Sequence, residues 1–192
     1  MMTASPVLAD RLWNSANQNK WIRYGALMVI GSLLIALSAQ IKVPMYPVPM
    51  TMQTFAVLLI GAAYGSRLGA ATVILYLLEG TLGLPVFAGG AAGLAVLKGY
   101  TAGYLVGFVF AAAAIGFLVE RGLARTPITL GLSVALGIAL VFAFGVSWLA
   151  GFIGLEKAIL GGLVPFILGD LLKGALVVAV VTGTMKALNR QS

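Results

Sequence analysis

Asp170 and Lys173 stand one helical turn apart inside an apolar segment, residues 164–178, in which leucine and valine are the commonest residues. Residues three apart share a helix face, so an acid and a base at this spacing can reach each other or a common ligand. A charge at the centre of a bilayer costs about 2.5–3.5 kcal/mol on insertion scales, which makes such a pair a functional-site candidate. A carboxylate accepts from N–H groups and an ammonium donates to carboxylates or carbonyls. The alternative is a buried structural ion pair, which gains little over apolar packing.

Other polar candidates sit beside two unusual loops. Residues 44–49 carry three prolines in six positions, which no helix interior tolerates, so an ordered extended stretch is expected there. Thr51 and Gln53 follow it; the Gln53 amide donates and accepts at once, toward a ligand or a neighbouring helix. Residues 86–97 are apolar and glycine-rich, too short and too flexible for a span. Backbone of that kind persists at membrane depth only against protein or a cavity, so Gly89 and Gly90 become candidate wall residues. Tyr100 opens the following helix, with Tyr104 four residues on; either could be a ligand platform or an interfacial belt residue. Glu79 reads as an interfacial acid and Glu156 and Lys157 as a solvated loop. Ser32 and Ala36 form a small-xxx-small pair suited to internal packing or to docking another membrane protein.

The elements that position these residues follow from composition. The chain has 192 residues, 61% hydrophobic and 9% charged; soluble domains carry about 25% charged residues. With a mean hydropathy of +1.07, this reads as an all-α integral membrane protein, because spanning backbone must satisfy its own polar groups and strand-like alternation is absent. Spans are expected over residues 21–40, 50–64, 68–82, 99–119, 128–151 and 163–185. Gly65, Ser66 and Arg67 divide the second from the third as a tight turn, in preference to one long bent helix. Residues 1–19 are a polar cytoplasmic segment without a signal-peptide core, and residues 20–190 form one six-helix domain.

Six spans place Arg11, Lys20, Arg23, Arg67, Arg121, Arg125, Lys186 and Arg190 on one side, eight basic residues against three (Lys42, Lys98, Lys157) opposite. The positive-inside bias then puts both termini in the cytoplasm and the proline and glycine loops outside. The same bias accounts for the net charge of +7 without nucleic acid, for which no basic cluster exists. Absence of His and Cys removes imidazole bases, thiol nucleophiles and the commonest zinc sites. No nucleotide motif is present, so any ATP energy must come from other chains. An intramembrane enzyme is the outlying alternative, since Asp170 and Lys173 are the only close polar pair available to it.

Taken in order, residues 43–54, the run 83–90 with its glycine tail, and Gly169-Asp170-Leu171-Leu172-Lys173 resemble the BioY family. These are the biotin-binding S components of energy-coupling factor (ECF) vitamin transporters, and the likeness runs from about Trp21 to Met185. It implies a non-enzymatic, six-helix subunit of the bacterial inner membrane that captures biotin from outside. It also implies, in many members, a transmembrane coupling protein and two ATPases as partners, with no cofactor bound by this chain. Another vitamin or a biotin precursor is the competing ligand. The family's Asp and Lys of the last helix fall on Asp170 and Lys173, and its polar residue after the proline loop on Gln53. Some relatives carry Asn near Gly89 or Gly90; two glycines here offer no side-chain hydrogen bond. The coupling-protein motif on the first helix has Ser32-x-x-x-Ala36 as its nearest fit.

Overall fold

The computed structural model describes residues 7–12 and 19–191. The remainder of the expected N-terminal segment, residues 1–6 and 13–18, lies outside the described residues. A short helix α1 (Leu8–Leu12) precedes α2 (Lys20–Gln40), whose first turn is capped by the Asn19 side chain accepting from Trp21 N at 3.1 Å. The expected first span thus forms as read. The proline stretch, expected to be extended, instead bends over residues 46–48 and reverses, so that its ends pair as a small antiparallel ribbon, β1 (Lys42–Val43) with β2 (Met50–Thr51), in a chain expected to be all helix. The pairing lets Lys42 and Thr51 stand directly opposite each other.

The next apolar stretch is two helices, α3 (Gln53–Tyr64) and α4 (Ser66–Thr81). Gly65, at φ 83°, reverses the chain in a backbone region that side chains disfavour. A Cβ on Gly69 would lie 3.3 Å from Gly61 Cα, so the helices fold back on each other as the turn reading requires. Glu120 secures this reversal: its carboxylate accepts from Ser66 N–H and from Ser66 O–H, both at 2.7 Å. That places an anion at the N-terminus of α4, where exposed amides and the helix dipole favour it.

After the glycine loop come α5 (Ala102–Glu120) and α6 (Pro127–Ile153). A reciprocal Thr126–Thr129 capping box followed by Pro127 starts α6. α5 is the central helix, and glycines let its neighbours approach closely. A Cβ on Gly61 would meet Ala112 O at 2.8 Å, and one on Gly107 would meet Val141 Cα at 2.9 Å.

The expected loop around Glu156 and Lys157 is instead a helix, α7 (Leu155–Gly162). Gly154, at φ 83°, ends α6 and starts α7. A 3-10 turn over Val164–Phe166 leads into α8 (Ile167–Gln191), later than the expected start at 163 because Pro165 lacks the N–H a continuous helix needs.

Outward faces are apolar: Ile22, Leu33, Leu37, Leu132, Leu168 and Leu172 are all exposed. Among the described residues, four stretches are long and apolar enough to cross a membrane: Lys20–Gln40, Ala102–Glu120, Pro127–Ile153 and Leu155–Arg190. α3 and α4, at 12 and 16 residues, fall short of the roughly 20 a full crossing takes.

Candidate functional site

One end of the bundle gathers the end of α2, the β ribbon, the start of α3, the glycine loop and the starts of α5 and α8. Between them lies a cavity of about 260 Å³. Val48, Pro49 and Thr51 wall it from the proline side, Gln53 and Thr54 from α3, and Phe87, Ala88, Ala91 and Val96 from the glycine loop. Thr101, Tyr104, Leu105 and Phe108 face it from α5, Val141 and Phe142 from α6, and Phe166, Asp170 and Lys173 from the last helix and its lead-in turn.

Asp170 and Lys173 meet each other and the cavity at once. Lys173 Nζ donates to Asp170 Oδ1 at 2.7 Å, with side chains only 8% and 3% exposed. The two groups bond each other and border the cavity as well, because a one-turn offset brings the ammonium back over the carboxylate. Asp170 occupies the first turn of α8, where the helix dipole favours an anion. A carboxylate accepts several bonds and an ammonium donates three, so capacity remains for a guest.

Gln53 is the hub of a second network. Thr51 O–H donates to Gln53 Oε1 at 3.1 Å, Gln53 Nε2 donates to Tyr76 O–H at 2.7 Å, and Tyr76 O–H donates to the Val86 carbonyl at 3.1 Å. This chain of bonds ties the proline side of the cavity to the glycine side through α4. Helix–helix bonding and cavity lining, posed as alternatives for Gln53, coexist.

The rest of the wall is aromatic, and glycines make room for it. Phe87 packs edge-on to Tyr76 at 5.5 Å and lies directly against Gly80. Phe142 and Phe166 are 6.5 Å apart. Tyr104 fits over Gly145 and donates to the Gly162 carbonyl at 2.8 Å, joining α5 to α7.

Thr51, Gln53, Asp170 and Lys173 therefore converge, while Gly89, Gly90 and Tyr100 stand outside the lining. Gly89 and Gly90 lie on the exposed rim of the glycine loop, and their neighbours Ala88 and Ala91 face inward. Tyr100 stacks edge-on against Phe152 at 5.3 Å. Because α5 begins at Ala102, its inward face runs through Thr101, Tyr104, Leu105 and Phe108, and Tyr104 holds the position expected for Tyr100. Ser32 is wholly buried and donates to Glu79 Oε1 at 3.0 Å across the α2–α4 seam. Ala36, one turn on, is half-buried.

Thr54 and the aromatic walls Phe87, Phe108, Phe142 and Phe166 are among the lining residues that sequence reasoning did not assign. Spacing held part of the signal: Phe166 precedes Asp170 by four, and Phe108 follows Tyr104 by four. Among the described residues no three His, Cys, Asp or Glu side chains gather to hold a metal ion.

Comparison with known proteins agrees with this architecture. The model of the BioY family matches residues 10–190. A Pyrococcus horikoshii protein named probable biotin transporter BioY is 37% identical over 81% of this chain and 91% of its own length. The Rhizobium etli biotin transporter BioY is 38% identical over 82% of this chain and 88% of its own. A crystal structure of the S-component for biotin from an ECF-type ABC transporter superposes with a TM-score of 0.79 at 26% identity, covering 90% of this chain and 95% of that one.

Proposed function

Because this chain belongs to the BioY family, we propose that it is a membrane subunit for biotin uptake, binding biotin in the cavity beside Asp170 and Lys173. The observation that carries the reading is the convergence of this pair with Gln53, Thr51 and an aromatic wall around about 260 Å³. Biotin presents a bicyclic body with ureido N–H and C=O groups and a carboxylate tail. An apolar pocket with a few placed polar groups suits it, and the volume falls just below the usual range of ligand sites, which starts near 300 Å³.

The role is capture and delivery, not catalysis. Six membrane crossings fit the antiparallel order of the helices, with α3 and α4 as the two short ones joined at Gly65. The basic residues put both termini in the cytoplasm of a bacterial inner membrane and open the cavity outward. Residues 1–19 are then a cytoplasmic segment and 20–190 the membrane domain. The chain uses no cofactor of its own; a coupling protein and ATPases of the ECF type would spend ATP on its behalf.

Thermal unfolding of the purified protein against a vitamin panel tests the ligand. A compound that binds only the folded state adds about 2.7 kcal/mol at 100 times its dissociation constant. Biotin is expected to raise the transition alone in the panel; stabilisation by a different vitamin, with none by biotin, would overturn the assignment.

A further inference from the structure

The proposed ligand is an anion, and the charge inside the cavity does not answer it. Lys173 Nζ sits 2.7 Å from Asp170 Oδ1 with both side chains at most 8% exposed. A cation already neutralised at that distance offers a second carboxylate little net attraction, because Asp170 repels it from almost the same place. The ureido group, neutral and both donor and acceptor, suits this pair better than a second anion does.

The mouth is different. Lys42 stands opposite Thr51 in the β ribbon, and directly opposed residues project from one face. Thr51 lines the cavity, so Lys42 leaves the ribbon on the cavity side. Its ammonium comes to rest on Gly89: a Cβ built there would meet Lys42 Nζ first and Lys42 Cε next, at 3.3 Å. Gly89 is thus a seat for a lysine, at φ 71° where side chains are disfavoured in any case. Its neighbour Ala88 lines the cavity. Lys42 is exposed and belongs to neither of the ion pairs among the described residues.

Resting on the biotin reading, we propose that Lys42 receives the ligand's carboxylate at the cavity mouth, bridging the proline and glycine loops over the tail, while the ureido head lies against Asp170 and Lys173. Lys42 is then the residue that makes the site prefer a free acid.

Binding of biotin and of biotin methyl ester to the purified full-length protein separates the possibilities. The wild type is expected to prefer the acid by about tenfold, the scale of one hydrogen bond to a charged group. Added salt should erode that preference. Lys42→Gln should abolish it by weakening biotin alone, Lys42→Arg should keep it, and Lys98→Gln and Lys157→Gln, on the same end of the bundle, should leave it intact. Equal wild-type affinity for acid and ester, a preference that survives Lys42→Gln, or loss of both ligands in that variant would each overturn the role of Lys42 while leaving the biotin reading standing. Failure of the wild type to bind either compound would remove both.

Discussion

Two acid–base pairs occur among the described residues, Asp10 with Arg23 and Asp170 with Lys173, at 2.5 and 2.7 Å. Their settings are opposite. Asp10 is 44% exposed and reaches thirteen residues along the chain to Arg23, which also donates to the Ala9 carbonyl at 3.0 Å. That pair fastens α1 to α2, with Val7, Leu8 and Ala9 buried beneath. Asp170 and Lys173 are on consecutive turns of one helix, so their bond joins no separate elements. A buried pair that fastens nothing is a poor stabiliser, since desolvation offsets its Coulomb gain. The difference teaches that distance and charge do not separate a fastening from a pair that lines a cavity; what the pair connects, and what space it borders, does.

The largest test of that contrast is Lys173→Met. It leaves Asp170 buried without a counter-ion and should cost about 3–5 kcal/mol of stability, with biotin binding lost. Adding Asp170→Leu should restore most of that stability, because an apolar pair of similar volume replaces the ions, yet binding should stay absent. Thermal unfolding alongside equilibrium binding reads both; a double variant that binds biotin normally would make the pair merely structural. Gln53→Ala comes next. It removes the donor to Tyr76 and the acceptor for Thr51, for an expected loss of about 1–3 kcal/mol, and biotin binding should weaken as the proline side loosens from the glycine side. The smallest effect belongs to Asp10→Asn. A partly exposed pair contributes at most about 1 kcal/mol, and biotin affinity should not change; a marked drop would tie α1 to the cavity at the other end of the bundle.

Much of this was legible in order along the chain. The three prolines, the glycine at 65 and the acid–base spacing each have a local cause that works whatever surrounds it. Ser32 shows the limit. A small-xxx-small pair names a close-packing face, but α2 is apolar all round, so nothing in its pattern says whether that face meets α4 or a partner. Glu156 and Lys157 misled for a related reason. Charge implied a solvated loop, while the chain satisfied its backbone by forming a short helix after Gly154. Tyr100 and Tyr104 were indistinguishable until the start of α5 set the rotation of its inward face.

By itself, the sequence determined that the protein is membrane-embedded and helical, where its chain reverses, and that Asp170 and Lys173 share a helix face, because hydrophobicity, missing N–H groups and helical period act over a few residues. Only the tertiary structure decided that five aromatic rings close a cavity around that pair, that Ser32 is sealed against Glu79, and that Lys42 reaches Gly89. Those contacts join residues tens of positions apart, and in a chain apolar on every side the rotation of each helix is set by its neighbours.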